Sequence, residues 1–389
     1  MIDIKEKKQC CGCEACATIC PKNCIEMQED EEGFRYPIID KKKCIQCGAC
    51  ERVCPWLKEP NKETLKEVEF FAAYNKNDDE LKKSSSGGIF SLLAKEILKN
   101  EGTIYGVIQE STYEVVYSKA QNLEEFEKMR GSKYLQAKIN GIYKQVKEDL
   151  QNNKTVLFSG TPCQVAALYR FLDKDYEKLY TVDVVCHGVP SNKVYRKFIQ
   201  KIEEKKKQKV TNIKWRDKVK GWGPNRVTIF FENGDKQTTT SKENPFQNGF
   251  LNNLYLRNSC YNCKYAKLPR IGDISLADFW GYKGELEFEN QNKGISAVII
   301  SSEKGKQLFK KTETQINYHT VEKEYVIQRS RHTYTHPIEN KKRQSFFLEL
   351  DKMGFEKICK KYEMTNSRLK DMAKQLKRQI KNIIKGKKK

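Results

Sequence analysis

No stretch of this 389-residue sequence approaches the roughly 18 consecutive apolar residues of a membrane-spanning helix. Its opening, MIDIKEKKQC, has neither the apolar core nor the cleavage site of a secretory signal. Both absences point to a cytoplasmic protein. Also missing are a basic stripe interleaved with stacking aromatics and any helix-turn-helix, zinc-finger or RNA-recognition signature, so nucleic acid is not expected as a partner. The formal net charge of +22 instead fits an acidic redox protein or an anionic surface. Lysines spread over every segment also read as an ordinary solvated surface.

What the chain has in quantity is cysteine. Ten of its 15 cysteines precede residue 55, four are Cys163, Cys186, Cys260 and Cys263, and Cys359 stands alone. In a reducing compartment, thiols clustered in this way argue for metal ligation rather than for disulfides. The length accommodates a small cofactor domain together with a substantial α/β core.

Cys10, Cys13, Cys16 and Cys20 precede Pro21, and Cys44, Cys47, Cys50 and Cys54 precede Pro55, so C-x2-C-x2-C-x3-C-P occurs twice. In this spacing three thiolates wrap one iron–sulfur cubane and the fourth ligates the other. The expected sets are Cys10, Cys13, Cys16 and Cys54 for one [4Fe–4S] cluster, and Cys44, Cys47, Cys50 and Cys20 for its twin. Zinc, which takes four ligands in paired spacing, fits poorly. Gly12 and Gly48 let the loop backbone approach the sulfides. Cys11 and Cys24 fall outside the spacing and read as small apolar packing residues. Residues 1–58 are therefore expected to form an α+β, ferredoxin-like two-cluster domain.

Residues 58–67, KEPNKETLKE, read as a polar linker. Alternating strands and helices follow from 68 to about 340, the signature of an α/β domain with a mainly parallel or mixed sheet. Ser84-Ser85-Ser86-Gly87-Gly88 leads into a helix with an apolar stripe at Ile89, Leu92, Leu93 and Ile97; its serines fit either an anion site or a simple helix cap. Two strand–loop–helix units come next, with Ser159-Gly160-Thr161-Pro162-Cys163-Gln164 and Cys186-His187-Gly188-Val189-Pro190-Ser191 as their loops. Loops after successive parallel strands share one edge of a sheet, which should bring Cys163 and Cys186 together. Cys260-Tyr-Asn-Cys263 completes a set of four. A third [4Fe–4S] cluster is expected there; zinc and unligated thiols are the alternatives.

Ferredoxin motifs followed in order by SSSGG, MRGSKYLQ, SGTPCQ, VCHGVPS, CYNCKYA and GDISLADFWG resemble the coenzyme F420 hydrogenase/dehydrogenase beta-subunit family, from the linker to about residue 340. The resemblance implies FAD beside an iron–sulfur cluster, with hydride exchange between the flavin and coenzyme F420 or another organic substrate. It makes Ser86, Gly87 and Gly88 candidate flavin phosphate contacts. Ser132, Lys133, Tyr134 and Gln136 become candidate flavin or substrate contacts, with Thr161 and the Cys163 loop near the isoalloxazine. His187 becomes a candidate catalytic proton donor, or else a loop residue bonded to backbone. Asp273 and Asp278 would orient the flavin or cap a turn.

The reading is thus an oxidoreductase exchanging electrons with a redox protein donor or acceptor. Its rivals are a flavin-free adaptor that docks a separate catalytic partner and a reductase of polysaccharide precursors. Residues 341–389 read as a basic helical tail. Leu369, Met372, Leu376, Ile380 and Ile383 share one face of it, which suits peripheral membrane contact, a partner, or the protein's own core.

Overall fold

The computed structural model describes residues 1–281, 286, 288 and 292–365. The N-terminal module is built on the antiparallel hairpin of β1 (Ile25–Glu29) and β2 (Arg35–Ile39). Two short helices, Ala15–Ile19 and Ala49–Arg52, begin after left-handed residues, Glu14 at φ 59° and Gly48 at φ 71°. That turn lets three cysteines face one point before Pro21 and Pro55 end the motif. The small core here is largely sulfur, with Cys16, Cys20, Cys24, Cys50 and Cys54 packed around Ile2 and Ile25.

The larger domain begins with β3 (Glu69–Asn75), β4 (Thr103–Ser111), β5 (Glu114–Ala120), β6 (Val156–Gly160) and β7 (Leu179–Val184). A separate antiparallel sheet follows, made of β8 (Val210–Trp215), β9 (Arg226–Phe231) and β10 (Lys236–Thr240). The chain then returns through β11 (Ile274–Asp278), β12 (Ser296–Ile300) and β13 (Ile316–Thr320) to complete an eight-stranded mixed sheet in the order β13-β3-β12-β11-β7-β6-β4-β5.

Strands β4, β6, β7 and β11 pair in parallel. Two antiparallel steps through β12 turn β3 to the same direction. The loops after β3, β6, β7 and β11 therefore leave from one edge, where ligands of open α/β sheets bind. All five residues of β12, SAVII, are buried, as a central strand covered on both faces requires. The stripe Ile89, Leu92, Leu93 and Ile97 packs onto Ile104, Leu157, Val182 and Val298.

Two expected boundaries shift. The segment read as a polar linker is laid against the sheet: Lys62 pairs with Asp273 at 3.0 Å, and the Leu65 amide donates to the Ser301 carbonyl at 2.9 Å. A buried Asp273 needs a counter-ion, and the linker supplies it. Residues 341–365 are not a separate tail either. Helices Arg343–Leu350 and Phe355–Lys361 bury Phe346, Leu350, Ile358 and Cys359 beside Phe198, Phe246 and Phe250. The amphipathic stretch from 368 onward lies outside the described residues. Among the described residues no helix is long and apolar enough to cross a membrane.

Candidate iron–sulfur and flavin site

Cys20, Cys44, Cys47 and Cys50, one of the two expected ligand sets, line a single cleft of about 360 Å³. The cleft opens outward, and Cys47 is exposed. Cys24 also lines it; its amide donates to Cys20 Sγ at 3.4 Å, an interaction that stabilises a ligating thiolate. The other expected set lies inward. Burial pushes the Cys16 thiol up, and Cys10 and Cys54 add to the shift as close neighbours, while Cys13 feels both Cys16 and Cys10.

Cys163, Cys186, Cys260 and Cys263 line a second cavity, of about 590 Å³. Cys163 sits in the first turn of the helix Pro162–Leu172 after β6, and Cys186 just beyond β7, both at the carboxyl edge. Cys260 is carried by the short 3-10 helix Asn258–Asn262, with Cys263 at its end. Burial pushes Cys186 up to about 12, with Cys163 and Cys263 adding to it; Cys260 rises through burial and then through Cys186. Buried thiols that oppose one another's ionisation become thiolates when positive metal charge lies among them. Among the described residues no three His, Cys, Asp or Glu converge tightly enough for a single ion.

Cys11, which the spacing marks as a packing thiol, has a different place. Its thiol neighbours those of Cys13 on one side and Cys163 on the other, and it lines the second cavity. The inward ferredoxin set thus abuts the second cysteine set.

One stretch of chain fixes that juxtaposition. Arg257, three residues before Cys260, donates through Nε to the Cys10 carbonyl at 2.7 Å. Just after Cys263, Lys264 Nζ donates to the Trp56 carbonyl and the Tyr265 hydroxyl to the Pro55 carbonyl, each at 2.7 Å. The segment therefore grips the chain at Cys10 and immediately after Cys54, both members of the inward set.

The candidate flavin contacts are mostly engaged with protein. Gln136 differs plainly from its expected role: its Nε2 donates to the Cys11 and Gly12 carbonyls at 3.1 and 3.0 Å, so it braces the first ferredoxin loop. Lys133 donates to the carbonyls of Met129, Arg130 and Gly131, and burial lowers its pKa to about 8. Tyr134 packs edge-on against Trp215 and Phe250. Thr161 Oγ1 donates to Gln164 Oε1 at 2.8 Å, and lies 3.3 Å from Cys163 Sγ.

Ser132 reaches Ser85 through both its amide and its hydroxyl, at 3.0 and 3.1 Å, joining the SSSGG loop to the MRGSKYLQ loop. Ser86 donates to the Ile295 carbonyl at 3.0 Å. The Gly87 amide donates to Ser296 Oγ at 2.9 Å, and a Cβ there would lie 2.4 Å from the Ala73 carbonyl, so glycine is demanded by strand packing. Gly88 is the left-handed residue that starts the helix Ile89–Lys99.

His187 lines the second cavity and is bonded to backbone there. Burial, followed by the repulsion of His332, lowers its pKa to about 4. Its Nε2 lies 3.2 Å from the Phe250 carbonyl, which can only accept, so that nitrogen carries the proton and its donor capacity is used. The two aspartates are likewise structural. Asp273 accepts from the Thr181 amide and hydroxyl, each at 2.7 Å, and Asp278 is bidentate with Arg216 at 2.6 and 2.8 Å. The bracing role of Arg257 was not legible beforehand, because nothing in an isolated arginine marks the loop it will reach.

Residues 153–325 match the family described as the C terminus of the coenzyme F420 hydrogenase/dehydrogenase beta subunit. Residues 9–57 match a 4Fe-4S dicluster domain, and a second such match overlaps it at 36–112. No curated protein sequence matches the chain. A chain of the xenon-derivatised F420-reducing [NiFe] hydrogenase complex from Methanosarcina barkeri is similar at 19% identity and a TM-score of 0.46, over 68% of this chain and 88% of that one. The chain thus carries a stretch similar to a 4Fe-4S dicluster domain at residues 9–57 and, at residues 153–325, one similar to the C terminus of the coenzyme F420 hydrogenase/dehydrogenase beta subunit.

Proposed function

We propose that this protein is an iron–sulfur oxidoreductase subunit in which electrons pass between the two N-terminal [4Fe–4S] clusters and a third [4Fe–4S] cluster on Cys163, Cys186, Cys260 and Cys263. FAD beside the third cluster would exchange hydride with coenzyme F420 or another organic substrate. The observation that carries this reading is the convergence of those four cysteines on one cavity, with Cys11 linking it to the inward ferredoxin set. When bound, the clusters supply one-electron transfer, and a flavin supplies the exchange between one- and two-electron chemistry.

The chain's own residues contribute position. The cleft at exposed Cys47 leaves the outer cluster open to a redox protein. The inward set is closed off by Gln136, Arg257 and Tyr265. Cys11 keeps the step to the second cysteine set short, and His187 and Arg270 form part of that cavity's wall.

Anaerobic purification with iron, sulfide and flavin analysis tests the reading. Three cubanes require about twelve iron and twelve sulfide per chain, whereas about eight of each would remove the third cluster. Turnover with reduced coenzyme F420 then tests the substrate.

The engagement of Lys133, Gln136 and Gly87 with protein groups favours a second reading, a flavin-free adaptor that hands electrons to a separate catalytic partner. Cluster absorbance without flavin, persisting after reconstitution with FAD, would decide for the adaptor.

A further inference from the structure

Arg257 is completely buried, at 0% exposure. Among the described residues no carboxylate pairs with it, and Glu14 on the first ferredoxin loop is taken by Arg35 at 2.8 Å. Its hydrogen-bond partners are neutral: the Cys10 carbonyl at 2.7 Å, the Arg35 carbonyl at 2.9 Å and Gln136 Oε1 at 3.2 Å. The Tyr36 ring lies 4.2 Å from the guanidinium carbon. Beyond these, Nη2 points at Cys10 Sγ at 3.5 Å.

Arginine stays protonated in proteins, and a buried charge without a counter-charge costs several kcal/mol. The anion within reach is the thiolate of Cys10 and the cluster it ligates. Four thiolates make such a cluster a net anion, and reduction adds one further negative charge. A fixed buried cation stabilises the more negative, reduced form, because the low-dielectric surroundings screen it little.

We propose that Arg257 raises the reduction potential of the inward cluster, held by Cys10, Cys13, Cys16 and Cys54. The step is the addition of one electron to the iron–sulfide core. No bond to the protein is made or broken, and Arg257 gives up no proton. The proposal rests on the dicluster domain and stands or falls separately from the flavin and the third cluster.

The test is a potentiometric titration, followed by electron paramagnetic resonance, of the full chain purified anaerobically, with iron and flavin measured on the same samples. Arg257→Gln removes the charge and keeps a donor; Arg257→Lys keeps the charge. In Arg257→Gln the reduction equilibrium of one ferredoxin cluster should fall at least tenfold, about 59 mV for a one-electron couple, with the other cluster unmoved and Arg257→Lys close to the native protein. If Arg257→Gln fails to retain iron while Arg257→Lys retains it, the demand for charge is likewise supported. Equal shifts in both variants, equal loss of iron in both, or unchanged potentials in a fully loaded Arg257→Gln would each overturn the proposal.

Discussion

The hydroxyl of Tyr265 donates to the carbonyl of Pro55 at 2.7 Å. The residue two positions beyond Cys263 thereby holds the residue one position beyond Cys54, one of the hydrogen bonds that tie together two cysteine sets far apart in sequence. Tyr265 is 4% exposed, so its removal leaves a carbonyl poorly supplied with other donors. Tyr265→Phe should cost about 1–3 kcal/mol. The readout is a lower thermal midpoint in anaerobic protein of unchanged iron content; an unmoved midpoint would mean that the module is held elsewhere.

Asp273 sets an acid limit on stability. Burial opposes its charge, but Lys62, Ser302 and Thr181 more than offset this and hold the carboxyl below the usual carboxylate range. A group whose pKa is lowered on folding contributes fully above its unfolded value, about 3.9, and the contribution is lost as pH falls through the folded value. Asp273→Asn should cost about 3–5 kcal/mol near neutrality, because Lys62 is left buried and unpaired. Denaturant unfolding from about pH 7 to pH 3 should then show a shallower acid decline in the variant than in the native chain.

The two motif glycines should respond unequally to alanine. A Cβ on Gly12 (φ 68°) would lie 2.4 Å from Gln136 Nε2 and 2.9 Å from Arg257 Nη1, whereas one on Gly48 (φ 71°) meets nothing closer than 3.5 Å. Both substitutions carry left-handed strain of about 1–2 kcal/mol. Only Gly12→Ala also pushes on the braces from the second domain. It should lose about four iron atoms per chain, one cubane, while Gly48→Ala stays loaded.

Within the second cysteine set, Cys186→Ser or Cys260→Ser should lower iron from about twelve to about eight atoms per chain while the ferredoxin signals persist. Cys11→Ala should keep the full complement, since Cys11 neighbours Cys13 and Cys163 without belonging to either set of four. Loss of a cubane from Cys11→Ala would make it a ligand.

Much of the site could be read from spacing alone. The two C-x2-C-x2-C-x3-C-P runs announce two cubanes because ligand geometry is local: three thiolates come from one turn of chain, and a proline ends it. The pairing of Cys163 with Cys186 followed from strand direction, since β6 and β7 lie parallel and adjacent and their loops must leave the same edge. The stripe from Ile89 to Ile97 likewise went where its period pointed, into the core.

Other roles depended on partners brought from far along the chain. Gln136 was legible only as a polar residue in a motif, and it meets Gly12 across 124 positions. Lys62 looked like a solvated linker lysine until the buried carboxylate of Asp273 required its charge. Cys11 looked like packing because its own motif has no use for it; its neighbour Cys163 arrives from another domain. The sequence by itself determined the two dicluster cysteine motifs and the alternating α/β pattern, since both are written in short-range spacing. Only the tertiary structure decided which cluster faces inward, which cation lies against it and which motif residues are braces, because those outcomes rest on long-range contacts and on the cost of leaving a buried charge or donor unpaired.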